Sequence, residues 1–261
     1  MDSANDDTIN ELIDQSLVQA IKQEVPDTTP PLVDSTNIDR YFMLYLRASQ
    51  TVLPQFEIDG ENREVFTDLF YWAIKDYSGR YDPDKGLFIW GDIGTGKTTL
   101  LELVRLFTRY VRRPVDSELW TFPLFPATEV SASYSKRGVA GLDEYLAYTR
   151  VGFDDLGLEP RPSRYYGDTL NVFERVLQQR SRFGSDGAWF ATTNMRPEQI
   201  RDFYGDQTYD RCREMVNNVE LTGYSRRSSS TSPKSTLVSR LPAFFDDSLT
   251  RWATARLYLP P

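Results

Sequence analysis

With 261 residues, 40% of them hydrophobic and 26% charged, the chain has the balance of an ordinary soluble globular protein, with room for one large domain or one plus a smaller one. A net charge of −8 argues against a protein that coats nucleic acid indiscriminately, while leaving room for a local basic stripe. The absence of histidine removes His-based triads and His-ligated metals, and the single Cys212 excludes an internal disulfide framework and fits a reducing cytoplasm.

The chain opens on an acidic appendage. Asp2, Asp6, Asp7, Glu11 and Asp14 precede any strongly apolar segment, which is unlike a secretory signal. No apolar run approaches the roughly 20 residues of a membrane span, so no membrane association is expected. Within the appendage, Ile9, Leu12, Ile13, Leu17, Ala20 and Ile21 recur at helical spacing, which predicts one amphipathic helix over residues 8–24. Such a helix either packs on its own domain or docks a partner. Residues 25–37, with Pro26, Pro30 and Pro31, read as an extended linker. Residues 38–50 form a predicted helix within a connector spanning 38–60. A second helix over residues 61–77 shows a broad apolar face of Val65, Phe66, Leu69, Phe70, Ala73 and Tyr77.

The stretch Gly91-Asp92-Ile93-Gly94-Thr95-Gly96-Lys97-Thr98-Thr99 fits G-x-x-x-x-G-K-[ST], a phosphate-binding loop. It follows the apolar run of residues 86–90 and precedes leucines and aromatics at helical spacing over residues 98–111, the strand–loop–helix context that the motif requires. The chemistry has local causes. The glycines allow backbone conformations in which successive N–H groups converge, and the helix N-terminus adds partial positive charge at the same place. Lys97 would reach the β- and γ-phosphates of a nucleotide, and the Thr98 hydroxyl would ligate Mg²⁺.

Residues 119–125 alternate like a strand. Residues 128–134 and 139–148 read as helical pieces around a loop at Lys136-Arg137-Gly138, a DNA contact or simply a solvated turn. In Val151-Gly152-Phe153-Asp154-Asp155, a short strand ends in paired acids. Opposite a phosphate loop, the first acid, Asp154, would hold the Mg²⁺ water shell, and Asp155 would orient or deprotonate the attacking water. Residues 161–167 read as a polar loop, with Asp168 as N-cap of a helix over 169–180. Residues 188–194 form a third buried-type strand. It ends in Asn194, placed either to position water near a γ-phosphate or to cap a turn. A closing strand is predicted over residues 219–221, followed by a serine-rich linker and a tail without a readable motif over 228–261.

Taken in order, four features resemble the DnaC/IstB-like branch of the AAA+ ATPases. They are the loop from Gly91 to Thr98, Phe153-Asp154-Asp155-Leu156-Gly157 with Glu159, Ala191-Thr192-Thr193-Asn194, and Tyr204-Gly205 followed by Arg211. That branch includes replicative helicase loaders and helper ATPases of DNA transposition. The resemblance spans roughly residues 60–227 and implies an α/β fold, a three-layer sandwich with a parallel sheet between helices and the helical lid reduced or absent. The predicted division is therefore an appendage and linker (1–37), a connector (38–60), an ATPase core (61–227) and a tail (228–261). The resemblance further implies ATP and Mg²⁺ as cofactors, Asp154 for the metal, Asp155 for water activation, Asn194 as a sensor, Arg211 as an arginine finger and Arg227 as a later nucleotide-contacting arginine. Where many members carry a further arginine two residues after the Tyr-Gly pair, this chain has Gln207, so no second arginine role carries over.

The implied function is a cytoplasmic, ATP-hydrolysing loader that holds a replicative helicase through its N-terminal segment, binds single-stranded DNA and forms a homo-oligomer when ATP is bound. Lys136, Arg137, Arg161 and Arg164 are the candidate DNA contacts. The alternative within the branch is a transposition helper on duplex DNA. A nucleotide-dependent switch or small-molecule kinase fits less well, because the chain shows no Asn/Thr-Lys-x-Asp guanine signature and no readable arginine-bearing lid.

Overall fold

The computed structural model describes residues 33–53, 56–112, 121–180 and 188–223. In chain order these form α1 (Ile38–Val52), α2 (Arg63–Ala73), β1 (Gly86–Trp90), α3 (Lys97–Val111), β2 (Leu124–Pro126), α4 (Ala127–Arg137), a 3₁₀ turn (Gly138–Leu142), α5 (Asp143–Leu146), β3 (Val151–Asp154), β4 (Ser163–Tyr165), β5 (Asp168–Leu170), α6 (Val172–Arg180), β6 (Trp189–Thr193), α7 (Pro197–Tyr204), α8 (Asp206–Met215) and β7 (Val216–Glu220). Five strands make one parallel sheet in the order β2-β3-β6-β1-β7. Parallel neighbours need crossovers, and the helices between strands supply them on both faces. The fold is the α/β sandwich expected from the alternation of strands and helices.

Strand residues divide by parity between two cores. Leu87 and Ile89 of β1, Phe190 of β6 and Val219 of β7 face α1, α2 and α3. Phe88, Val151, Phe153, Trp189 and Ala191 face α4, α6, α7 and α8. The first core is dense in rings: Tyr45 stacks on Phe66 with centroids 4.4 Å apart and meets Phe107 at 4.8 Å, while Phe122 lies flat on Phe190 at 3.8 Å. Burial of each such ring stabilises by roughly 1.5–3 kcal/mol. Helix α1 contributes Tyr41, Phe42, Leu44, Tyr45 and Ala48 to this core and so packs with the sheet's own helices.

Buried Arg112 joins the helices on this side. Its Nε donates to the carbonyl of Ala73 at 2.9 Å and Nη1 to that of Pro83 at 3.0 Å, while its guanidinium lies 4.1 Å from the Trp72 ring centroid. It therefore occupies the Ala73 carbonyl at the C-terminal end of α2, one of those that the helix cannot satisfy itself. That helix stops short of the expected residue 77 because Lys75, just past its end, takes a left-handed φ of 62°.

Four further expectations differ from the structure. Residues 163–170 are an antiparallel hairpin, with Tyr165 opposite Asp168, so Asp168 is a strand residue and caps no helix. The cause is the two-residue turn Tyr166-Gly167, whose φ values of 45° and 94° match the strand twist that hairpins demand. Helix α6 starts later, with the Asn171 carbonyl accepting from the Arg175 N–H. Lys136 and Arg137 are not in a loop but in the last turn of α4, which Gly138 ends against the ring of Tyr165. Strand β2 is confined to Leu124–Pro126 within the described residues. The expected N-terminal helix, the tail and Arg227 lie outside the described residues. No helix among the described residues is long and apolar enough to cross a membrane.

Candidate nucleotide-binding and hydrolysis site

Sheet order decides what meets at the C-terminal edge. Strand β6 lies between β1 and β3, so the loop after β1, the acids ending β3 and Asn194 just past β6 emerge side by side. Such an edge is where open parallel sheets bind ligands.

The loop after β1 is shaped by close backbone approach. A Cβ on Gly91 would lie 2.1 Å from the Leu221 carbonyl oxygen, because the chain beyond β7 comes back to donate from Leu221 N–H to Trp90 O at 2.8 Å. Gly94 and Gly96 have φ of 85° and 96°, and the Thr95 hydroxyl closes the turn onto Asp92 O at 2.9 Å. Ile93 at the tip is 69% exposed. Helix α3 starts at Lys97, so the N–H groups of its first turn point into the loop. Lys97 is only 6% exposed, and its Nζ donates to Gly91 O at 2.9 Å and Asp92 O at 2.7 Å. The ammonium is thus held on the loop's own carbonyls, beside the convergent N–H groups.

The Thr98 hydroxyl, next along α3, donates to Asp154 Oδ1 at 2.9 Å. Thr192 of β6, fully buried, donates its hydroxyl to the same Oδ1 and accepts from the Asp155 N–H at 3.0 Å. One hydroxyl therefore joins both acids to the strand that separates them from the phosphate loop. Asp155 itself has φ of 53°, rare for a residue with a Cβ. Its turn is held against β6 by Leu156 N–H to Thr192 O at 2.8 Å and by the Thr193 hydroxyl to Leu156 O at 2.6 Å. The turn continues into Gly157, whose N–H donates to Glu159 Oε2 at 2.8 Å. The other oxygen of Glu159 accepts from the Tyr204 hydroxyl. Burial pushes the Tyr204 phenol up, and the neighbouring Glu159 adds to it, so Tyr204 keeps its proton and donates.

Thr98 and Asp154 fit a Mg²⁺ ion: they are two hard oxygen donors brought together, and such an ion takes the rest of its shell from water and phosphate oxygens. Asn194 is half-buried just past β6, with the Thr193 hydroxyl accepting from the Met195 N–H at 3.1 Å in the turn that follows. Arg211 lies on α8, half-buried, on a helix that packs against α6, α7 and β7. The phosphate loop, Asp154, Asp155 and Asn194 are thus brought to one edge, whereas Arg211 belongs to a separate helical layer. Thr192 was legible only as one hydroxyl in a strand ending Thr-Thr-Asn, and nothing local connects Tyr204 with Glu159.

Of the candidate DNA contacts, Lys136 and Arg137 end α4, which packs on β4 and so on the strand of Arg164, with the Tyr134 and Tyr165 rings 6.2 Å apart. Arg137 pairs with Glu144 at 2.9 Å, and Arg161 lies 4.9 Å from the ring centroid of Phe203. Tyr166 at the hairpin tip is 94% exposed.

No family model matches the chain, and no curated protein matches it. Among solved structures it is similar to a candidate primosome component from Streptococcus pyogenes serotype M3, at 18% identity and a TM-score of 0.48, covering 67% of this chain and 87% of that one. It is also similar to DnaI, at 22% identity and a TM-score of 0.47 over 69% of this chain and 93% of that one. A third likeness is to the DnaC helicase loader, at 14% identity and a TM-score of 0.48 over 68% and 98% of the two chains.

Proposed function

We propose that this chain is a Mg²⁺-dependent ATPase of the DnaC/IstB-like AAA+ branch, acting as a loader of a replicative helicase in the cytoplasm. The observation that carries the hydrolytic reading is the single hydrogen-bonded path Thr98–Asp154–Thr192–Asp155 at the mouth of the phosphate loop. The order of the four motifs along the chain supports the branch. When ATP binds, the N–H groups at the start of α3 and the Lys97 ammonium take the phosphate oxygens, for which Lys97 exchanges its loop carbonyls. Bound Mg²⁺ would neutralise phosphate charge beside Thr98 and Asp154. Asp155 aligns the attacking water and accepts its proton, and Asn194 fixes that water from the neighbouring strand end. Arg211 of an adjacent copy completes the site, so hydrolysis depends on ATP-driven assembly. Arg227 contacts nucleotide in the same assembly. Residues 1–60 hold the helicase, and Lys136, Arg137, Arg161 and Arg164 contact single-stranded DNA.

Asp155→Asn tests the chemistry. It should retain ATP and lose turnover by about a thousand-fold, as expected when a proton acceptor is removed; undiminished hydrolysis would sink the assignment. Arg211→Ala should be inactive alone and recover activity when mixed with Asp155→Asn, each copy supplying what the other lacks. Mixtures that stay inactive at every ratio count against a finger acting between copies.

A further inference from the structure

Glu159 is 6% exposed, although its chain neighbours Leu158 and Pro160 are exposed, and it has no cation paired with it among the described hydrogen bonds. Both of its oxygens are used, and they serve two segments far apart in the chain. Oε2 accepts from Gly157 N–H at 2.8 Å, inside the turn that starts at Asp155. Oε1 accepts from the hydroxyl of Tyr204, itself buried and the last residue of α7. Gly205 follows, with φ of 87°, and redirects the chain into α8, the helix that carries Arg211. A second contact joins the same segments: the Arg161 guanidinium over the ring of Phe203 at 4.9 Å. At its other end, the Asp155 turn is held by Thr192. It is therefore suspended between the sheet and the α7–α8 elbow.

We propose that Glu159 and Tyr204 are a positioning pair: they set Asp155 relative to the phosphate loop and tie that setting to the helix that offers Arg211. The inference rests on the proposed hydrolytic reading, and Glu159 and Tyr204 touch no reacting atom in it. The left-handed backbone of Asp155 is the strained part of the turn, and it keeps its place only while both ends are held. Loss of the Tyr204 hydroxyl frees the far end, so Asp155 spends less time aligned, whereas the phosphate loop, built from other residues, binds ATP as before. A shift of α8 at a contact between copies would reach Asp155 through the same two hydrogen bonds.

The full chain with Tyr204→Phe, and separately with Glu159→Gln, should be measured in single-turnover hydrolysis of Mg-ATP and in equilibrium binding of ATP. Phenylalanine keeps the ring that fills the core. Glutamine fills the same space but offers one acceptor where two are needed. Each single variant should hydrolyse about ten-fold more slowly, with the ATP dissociation constant within about two-fold of wild type. The double variant should be no slower than the worse single one, since both break one link. A lower melting temperature with an unchanged hydrolysis rate would mean a purely structural pair and overturn the proposal, as would a double variant slowed by the product of the two effects. Asp155→Asn run in parallel separates the failures: full activity there defeats the hydrolytic reading itself, whereas an inactive Asp155→Asn beside a fully active Tyr204→Phe defeats only the positioning pair.

Discussion

The phosphate loop and the acid turn sit side by side and are built in opposite ways. The loop is made from nine consecutive residues, and most of its form comes from their own backbone: glycines at positive φ, Thr95 onto Asp92, Lys97 onto Gly91 and Asp92. The acid turn is equally short and closes on itself through Leu158 N–H to Asp155 O and Gly157 N–H to Glu159, yet the bonds that fix its place in the fold come from elsewhere. Thr192 lies 37 residues from Asp155, and Tyr204 lies 45 from Glu159. On the proposed function, nucleotide capture is thus a local property of the chain, whereas alignment for hydrolysis depends on how well the rest of the domain is assembled. In a protein proposed to act on assembly, the part that responds to assembly is the part made from distant contacts.

Substitutions can separate the two. Lys97→Ala strikes the local element and should have the largest effect, weakening ATP binding by about a hundred-fold or more as a charged hydrogen-bond donor to phosphate is lost. Binding that survives unchanged would mean that the loop captures phosphate by its backbone alone. Thr192→Val strikes the long-range element. It leaves the Asp155 N–H and Asp154 Oδ1 without their shared hydroxyl and should slow hydrolysis by roughly ten- to a hundred-fold, with a stability loss of about 1–3 kcal/mol. Thr192→Ser, which keeps the hydroxyl, should restore most of the rate. ATP affinity should change little in either, and a parallel loss of binding would mean that the loop and the acid turn do not act separately.

The smallest effect concerns the elbow's own packing. Burial pushes the Cys212 thiol of α8 up from 9.0 to about 12, so the fold favours the protonated form. Its folded value is raised, so this stabilisation is fully present below the unfolded value and is lost as pH rises toward the folded one. Between about pH 9 and 10 the loss should be about 1 kcal/mol, and Cys212→Ala should flatten that part of a denaturant-stability profile. An unchanged slope would show that another group governs the alkaline limb. Tyr204 shifts in the same direction and for the same first cause, but from a higher starting value, so its share begins above about pH 10.

Legibility followed the same division. Strand β1, the loop and α3 were readable because their signals are contiguous: an apolar run, glycines at fixed offsets, then helical periodicity. Asp154 and Asp155 were readable as residue types at the end of a strand, but the threonine that joins them was not. The hairpin reads in the sequence as a loop and helix start because Asp168 has the chemistry of an N-cap, while the turn signal is only the glycine in Tyr166-Gly167. Lys136 and Arg137 read in the sequence as a loop because they fall between two helical pieces, at 128–134 and 139–148. They are helical because Val130 and Tyr134 carry α4 along the core as far as Gly138.

By itself the sequence determined a glycine-rich loop between a strand and a helix, an alternation of strands and helices that requires a parallel sheet, and a supply of acids, hydroxyls and an amide at strand ends. Those are consequences of side-chain periodicity and of what glycine backbone can do, and both act over a few residues. Only the tertiary structure decided that β6 runs between β1 and β3, that Thr192 therefore reaches both acids, and that Glu159 is bound by Tyr204. Strand order arises from the joint burial of two aromatic cores on opposite faces of the sheet, a balance to which the whole domain contributes and which no short window of residues encodes.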